Sequence, residues 1–99
     1  MRSTRWVWNA EKAKANLQKH GVAFSEAALV FGDPLHLSKP DPHPDNDRWQ
    51  TIGRVGPFLM LVVHTFPVEW EGDSAAIGRI ISARIPTSRE RKAYEDGDF

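Results

Sequence analysis

Hydrophobic and polar positions recur along the chain with two periods, which predict a mixture of short strands and helices. Tryptophan occupies every second position of residues 5–8, so both rings would share one face of a short strand. Residues 10–19 are rich in Ala, Glu, Lys and Leu, which favour a helix capped by Asn9 at its start and Gly21 at its end. One stripe of this helix contains Ala13, Asn16, Leu17 and His20.

The middle of the chain predicts a helix, a loop and two strands. Residues 24–31 resemble a second short helix that Ser25 caps and a Gly-Asp-Pro sequence ends. Residues 39–47 contain three Pro and three Asp, which no sheet interior accepts, so they predict an exposed loop. Strands over residues 48–54 and 58–66 follow, joined by a glycine turn, and the second strand is apolar on both faces as central strands are.

The last third of the chain predicts one more strand and one more helix. Residues 77–83 form an apolar strand after a loop over residues 67–76. Thr87 and Glu90 match the capping box that opens a helix reaching about Asp96. The sequence therefore predicts one α+β domain over all 99 residues. It would contain a small antiparallel sheet of about four to five strands, two N-terminal helices and one C-terminal helix, with the helices gathered on one side.

The composition narrows the class of protein. It is that of an ordinary globular protein, with 40% hydrophobic and 26% charged residues. There is no cysteine, which excludes disulfide bonds and cysteine-ligated zinc. No apolar run reaches the roughly 18 residues of a membrane span and no signal-peptide core is visible, so we expect a cytoplasmic protein without a membrane partner. A net charge of zero argues against a protein that coats nucleic acid by charge alone.

Charge is nevertheless segregated along the chain. Between Arg79 and Lys92, five basic residues and one acidic residue give a local charge of +4. A neutral chain with this pattern can present a positive face to a phosphate backbone or to an acidic partner. The acidic excess lies earlier, at Glu26, Asp33, Asp41, Asp45 and Asp47.

Several short motifs follow one another in the order of a known family. The most specific pair is Lys-His-Gly-Val at residues 19–22 and Arg-Ile-Ile-Ser-Ala-Arg at residues 79–84. Between and after them come Arg-Trp at residues 48–49, Leu-Val-Val-His-Thr at residues 61–65 and Glu-Arg at residues 90–91. Together these motifs resemble the BrnT toxins of bacterial type II toxin–antitoxin systems, over nearly the whole chain.

This resemblance implies both an activity and a partner. The activity would be that of a small ribonuclease with a RelE-like fold, which cleaves RNA without a metal ion or other cofactor and thereby inhibits translation. The partner would be an antitoxin of the BrnA type, a ribbon-helix-helix DNA-binding protein. Operator DNA would be contacted only indirectly, through that antitoxin.

Cleavage of RNA without a metal needs groups that this chain can supply. The 2′-hydroxyl attacks the adjacent phosphate, so the site needs a proton acceptor, cations for the phosphorane and an acid near the leaving oxygen. Arg79 and Arg84 are the first candidates for the phosphate, because guanidinium pairs two phosphate oxygens at once. Lying five apart on one strand, they would point to opposite faces unless a bulge intervenes, and one of them could instead pair with an acid.

Further candidates lie on the helices. Arg91 and Tyr94 share a face of the last helix and could contact phosphate or a base, although Tyr94 could equally cover the core edge and Arg91 pair with Glu95. His20 could transfer a proton, or it could simply be a half-buried residue whose charge suits a helix C-terminus. The predicted catalytic residues are therefore His20, Arg79, Arg84, Arg91 and Tyr94, and the predicted substrate-binding residues are Lys19, Arg89 and Lys92.

Other features leave weaker hypotheses. The acidic segment could bind a metal ion, but it lacks a fixed spacing, so no metal site is predicted. His64 is expected in the core, and Trp70 could anchor a partner. The alternative function is that of a non-catalytic module that binds nucleic acid or an acidic protein through residues 79–92. A further alternative is that this basic end only contacts the acidic loop. The possible metal ligands are His36, His43, Asp41, Asp45 and Asp47.

Overall fold

The structure of the chain, a computed structural model, describes residues 3–43 and 47–99 and confirms the predicted α+β class. None of its described helices is both long and apolar enough to cross a membrane. In chain order the elements are β1 (Thr4–Val7), α1 (Ala10–His20), α2 (Phe24–Ala27), a 3-10 helix (Ala28–Gly32), β2 (Leu37–Pro40), β3 (Trp49–Val55), β4 (Phe58–His64), β5 (Val68–Glu69), β6 (Ala76–Arg84) and α3 (Ser88–Asp96).

The strands form one mixed sheet. Its order is β1-β6-β4-β3-β2, and β5 pairs with β6 beside this path. The sheet therefore has six strands where the sequence predicts about four to five. The paired strands that the structure describes are antiparallel except β1 and β6, which run parallel. The long connection that a parallel pair requires leaves no local signal in the sequence, so the expectation of a wholly antiparallel sheet is wrong for this pair.

The predicted loop over residues 39–47 begins later than expected. Lys39 and Pro40 are the last two residues of β2. This strand lies at the edge of the sheet, where a proline without an N–H group breaks no hydrogen-bond ladder. Residues 44–46 of the predicted loop lie outside the described part of the chain.

Helix α1 forms as its local sequence predicts. The side chain of Asn9 accepts a hydrogen bond from the Lys12 N–H at 3.0 Å, and Gly21 ends the helix in the left-handed conformation with φ 70°. The second helix differs from its prediction. Phe24–Ala27 is α-helical and Ala28–Gly32 continues as a 3-10 helix, while the cap is Ala23 and Ser25 lies inside the helix. The cap thus lies two residues before the predicted one, a shift of the size expected for helix ends.

Apolar side chains cover both faces of the sheet. The smaller cluster contains Ile52, Leu59 and Tyr94 and lies beneath α3. Successive residues of a strand point to opposite faces, so the apolar surface left by Ile52 and Leu59 needs its own cover. Helix α3 supplies it, and the prediction that all helices gather on one side is wrong. The larger cluster lies under α1, α2 and the 3-10 helix and contains Val22, Phe24, Ala27, Val30, Met60, Val62, Ile80 and Ala83.

Candidate functional site

A β-bulge changes the direction of side chains along β6. The ladder with β4 shifts its register, and Ile81 is the extra residue on β6. As a result Ile80 and Ala83, three positions apart, both pack into the larger apolar cluster. The pairs on either side of the shift are Val63 with Ser82 and His64 with Ile80.

The bulge places Arg79 and Arg84 on the same face of the sheet. Each directly neighbours a residue of the larger apolar cluster along β6, so each points the opposite way, towards the α3 face. Of the two alternatives that the spacing leaves open, the one with an intervening bulge is therefore correct. The two Cα atoms lie about 16 Å apart along the strand.

Arg84 is held by the first turn of α3. Its Nη1 and Nη2 atoms donate to Oε1 and Oε2 of Glu90 at 2.7 and 2.9 Å, a bidentate pair. Glu90 also accepts from the Thr87 N–H at 2.8 Å and completes the predicted capping box. The hydrogen bonds from Arg84 and the Thr87 N–H outweigh partial burial and lower the pKa of Glu90 to about 2. Arg84 is thus the arginine that pairs with an acid, in a fixed orientation.

Arg79 is exposed at the other end of the same face. Its N–H donates to Thr65 Oγ1 at 2.9 Å, and its carbonyl accepts from the Thr65 N–H at 2.9 Å, which fixes the backbone. Within residues 3–43 and 47–99 its guanidinium makes no ion pair. It borders a cavity of about 200 Å³ whose lining residues are Val7, Asp47, Thr65, Phe66, Val68, Trp70, Ile77 and Arg79, hereafter the Arg79 cavity.

Tyr94 and Arg91 occupy different environments on α3. Tyr94 is buried, and its O–H donates to Asp33 Oδ2 at 2.6 Å, which joins α3 to the segment after the 3-10 helix. This hydrogen bond, together with burial, raises the pKa of the Tyr94 phenol. Arg91 is exposed and, in the part of the chain that the structure describes, pairs with neither Glu95 nor another acid. Tyr94 therefore covers the edge of the core, which is one of the two roles that the sequence leaves open for it.

The remaining sequence candidates do not gather around Arg79. Lys19 and His20 end α1, which packs on the face of the sheet opposite Arg79. Arg89 and Lys92 are exposed on α3, and Lys92 Nζ lies 3.2 Å from a carboxylate oxygen of Asp96. Of the candidates on the sheet, the structure brings Arg79 and Arg84 onto one face, and α3 covers that face at the Arg84 end.

A second cavity lies on the other side of the same sheet end. It has a volume of about 310 Å³, and two aromatic pairs border it. The rings of Trp6 and Phe31 are stacked with centroids 4.1 Å apart, and those of Trp49 and Phe66 lie 5.4 Å apart. Gly78 makes room for this arrangement, because a Cβ there would overlap the Trp6 ring. The lining residues of this cavity, hereafter the aromatic cavity, are Thr4, Trp6, Phe31, His36, Ser38, Trp49, His64, Phe66 and Pro67.

A chain of hydrogen bonds runs from the aromatic cavity into the core. Ser38 Oγ lies 2.6 Å from Thr51 Oγ1, which lies 2.6 Å from Nε2 of the buried His64. The other ring nitrogen of His64 lies 2.8 Å from the carbonyl oxygen of Thr65. Burial is the main cause that lowers the pKa of His64, so the ring is neutral at pH 7. His64 is therefore the satisfied core residue that the sequence predicts.

The sequence does not reveal this cavity, because its walls come from five separate segments. Only the register of β2, β3 and β4 brings Ser38, Thr51 and His64 together. A possible signal is the histidine at the end of the otherwise apolar strand β4, since a buried histidine needs partners for both nitrogens. Among the described residues no group of three potential ligands could hold a metal ion, and Asp45, one of the possible ligands, lies outside them.

Comparison with known proteins adds one finding. The family model described as "Ribonuclease toxin, BrnT, of type II toxin-antitoxin system" matches residues 8–90. This range contains both arginines of β6 and the first turn of α3, including Glu90. A comparison with curated proteins gives no significant match.

Proposed function

The chain belongs to the BrnT family of ribonuclease toxins of type II toxin–antitoxin systems, and from this premise we propose that it cleaves RNA at the Arg79 cavity without a metal ion. It is a ribonuclease whose substrate is RNA and whose partner is an antitoxin. Cleavage in the cytoplasm would inhibit translation. The observation that carries the proposal is the exposed guanidinium of Arg79, which has no acid partner in the described structure and borders a cavity.

Arg79 is suited to stabilise the transition state. Attack of the 2′-hydroxyl on phosphorus concentrates negative charge on the phosphorane oxygens. A planar guanidinium can donate two parallel hydrogen bonds to those oxygens and stays charged at every relevant pH. Because no carboxylate in the described structure already holds the Arg79 guanidinium, binding the phosphate breaks no existing ion pair.

We assign the proton acceptor to Asp47. Asp47 lines the Arg79 cavity and is exposed, so a phosphate bound to Arg79 would lie beside it. In the described structure Asp47 makes no ion pair that would hold it away from the substrate. His20, the candidate from the sequence, lies in the helical layer on the opposite face and is a poorer choice for this position.

Arg84 would contact a different phosphate of the same RNA. Two of the five N–H groups of the Arg84 guanidinium bind Glu90, which fixes the orientation of the guanidinium. The Arg84 side chain is 33% exposed, so its other donors remain available. Since about 16 Å separates the two arginines, the RNA would extend along the face between them. A held arginine loses less conformational entropy on binding than a mobile one.

The test is cleavage of end-labelled RNA by the purified chain in excess EDTA. We expect the wild type to cleave, with a 2′,3′-cyclic phosphate on the new end, and to leave an RNA with 2′-deoxy substitution at the cleaved position intact. Arg79→Ala should lower the cleavage rate about 100-fold or more, since single transition-state donors contribute on this scale. Lys14→Ala, an exposed cation of α1 on the opposite face, is the control and should change the rate less than about twofold.

Other results would contradict parts of the proposal. Cleavage that requires added divalent ions would disprove metal independence. Equal losses in Arg79→Ala and Lys14→Ala would move the site away from the Arg79 cavity. RNA that is bound but never cleaved, even with ribosomes present, would favour the alternative of a binding module that uses the basic 79–92 region.

We further propose that the antitoxin is a BrnA-type ribbon-helix-helix protein that covers the Arg79 cavity, and that operator DNA is bound only through it. Three exposed apolar side chains of that cavity, Phe66, Val68 and Trp70, support this position. Expression of the chain alone should arrest growth, and co-expression of the antitoxin encoded beside it should relieve the arrest. Growth arrest that persists with that antitoxin would disprove the pairing.

A further inference from the structure

We propose that the aromatic cavity binds one purine base of the RNA substrate, and that it selects a base with an exocyclic amino group. The proposal rests on the proposed function, because it concerns the same RNA whose phosphate contacts Arg79. It assigns to Ser38, His36 and Phe66 a role in substrate selection.

The walls of the cavity suit a flat aromatic ring. Trp6 with Phe31 and Trp49 with Phe66 supply apolar ring surface at its border, and its volume of about 310 Å³ can accommodate a purine. Phe66 is 56% exposed although its ring contacts Trp49, so much of its surface is available to a ligand. Stacking of bases on aromatic side chains is a general mode of single-stranded RNA recognition.

The hydrogen-bond chain behind the cavity fixes the direction of its polar groups. The Thr65 carbonyl can only accept, so His64 Nδ1 carries the proton and its Nε2 accepts from the Thr51 hydroxyl. The Thr51 oxygen then accepts from the Ser38 hydroxyl. The Ser38 proton is therefore engaged, and Ser38 Oγ offers lone pairs to the cavity.

His36 offers a second acceptor. Its Nδ1 lies 2.7 Å from the Asp33 carbonyl, which can only accept, so Nδ1 carries a proton. The lone pair of Nε2 remains for a ligand in the cavity that His36 lines. Two acceptors match the two N–H donors of an exocyclic amino group, whereas uracil has no amino group.

The position of the cavity relates the base to the cleaved phosphate. Phe66 lines both the aromatic cavity and the Arg79 cavity, so the two are neighbours separated by one side chain. A nucleotide strand that passes around Phe66 can place a base against the aromatic pairs and an adjacent phosphate at Arg79. Base recognition and phosphate binding would then act on neighbouring groups of one substrate.

The test is binding of short 2′-O-methyl oligoribonucleotides, which cannot undergo attack by the 2′-hydroxyl, measured by fluorescence anisotropy. One position carries adenine, unsubstituted purine (the same ring system without the amino group) or uracil, and all other positions are identical. We expect the wild type to bind the adenine oligonucleotide about 5-fold or more tightly than the purine one, the scale of a hydrogen bond. Ser38→Ala removes one of the two acceptors and should reduce this difference, whereas Ser25→Ala, an exposed serine on α2, should keep it.

A second variant tests stacking separately from hydrogen bonding. Phe66→Ala should weaken binding of both the adenine and the purine oligonucleotides about 5- to 100-fold, because it removes the shared wall. Thermal melting of each variant reports whether the fold is intact, and the exposure of Phe66 makes this substitution mild for folding. Leu35→Ala, at another exposed apolar residue, is the control.

The outcomes separate this inference from the proposed function. Equal affinity of the wild type for adenine, purine and uracil would overturn base selection, even if RNA is cleaved in EDTA. Selective binding of adenine that depends on Ser38, without any RNA cleavage, would keep the base site and remove the proposed cleavage. An intact Phe66→Ala protein with unchanged affinity would show that the base binds elsewhere.

Discussion

The contact between Arg84 and Glu90 illustrates how one carboxylate can serve two elements. Glu90 closes the capping box of α3 and at the same time holds a guanidinium of β6. The arginine identified from the sequence as a phosphate contact is thus also part of the attachment of α3 to the sheet. Arg79, with its exposed side chain and no described ion pair, has no comparable structural task.

The pKa of Glu90 makes this contact testable. Because the pKa is about 2 in the folded chain against an ordinary 4.5, the stabilisation is complete above pH 4.5 and is lost as pH falls towards 2. Glu90→Gln removes the charge but keeps a residue type that closes capping boxes. We expect it to lower the free energy of unfolding by about 2 kcal/mol at neutral pH, allowing for partial solvent exposure.

Urea unfolding across pH checks this expectation. The difference between Glu90→Gln and the wild type should shrink below pH 4.5 and nearly vanish near pH 2. Glu95→Gln, an exposed acid on the same helix, should leave the stability within about 0.5 kcal/mol of the wild type. A difference that is independent of pH would mean that shape and not charge is what Glu90 contributes.

At the scale of elements, a buried amide joins α1 to the sheet. Asn16 Nδ2 donates to the carbonyls of Val22 and Ala83 at 3.0 and 2.9 Å, and its Oδ1 accepts from the Ala83 N–H at 3.1 Å. These contacts satisfy backbone groups of β6 and of the loop after α1. One side chain therefore fixes the helix, the loop and the strand that carries both arginines.

We expect Asn16→Ala to lower the free energy of unfolding by about 3 kcal/mol. It removes three hydrogen bonds and leaves buried backbone groups without partners. Gln18→Ala, at an exposed position of the same helix, is the control and should be nearly neutral. Chemical denaturation of the three proteins measures the difference. A loss below about 1 kcal/mol for Asn16→Ala would show that water replaces the amide.

The elements that the sequence predicts well are those whose signals are local. The caps Asn9 and Gly21 and the pair Thr87 and Glu90 act within a few residues, and all four take the predicted roles. The bulge at Ile81 depends on the partner strand, so the sequence could only leave it as an alternative. That single residue decides whether Arg79 and Arg84 share a face. The site therefore depends on pairing across the sheet, which the linear pattern does not contain.

Across the molecule, the two faces of the sheet differ in what covers them. The α3 face carries both β6 arginines, while the opposite face is occupied by α1, α2 and the 3-10 helix. Exposed apolar side chains accompany the cationic end of this face, with Trp70 at 59% exposure. An exposed tryptophan beside an arginine is a typical centre of a protein interface. This is the surface on which we expect the antitoxin to bind.

The last prediction follows from that position. Trp70→Ala should weaken antitoxin binding about 10-fold or more, because large aromatic anchors contribute much of an interface's affinity. Leu29→Ala, an apolar residue with 60% exposure on the 3-10 helix, should change the affinity less than about twofold. Titration calorimetry with the purified antitoxin measures both. Equal effects of the two substitutions would mean that the antitoxin binds another surface, and it would then have to inhibit the enzyme without covering Arg79.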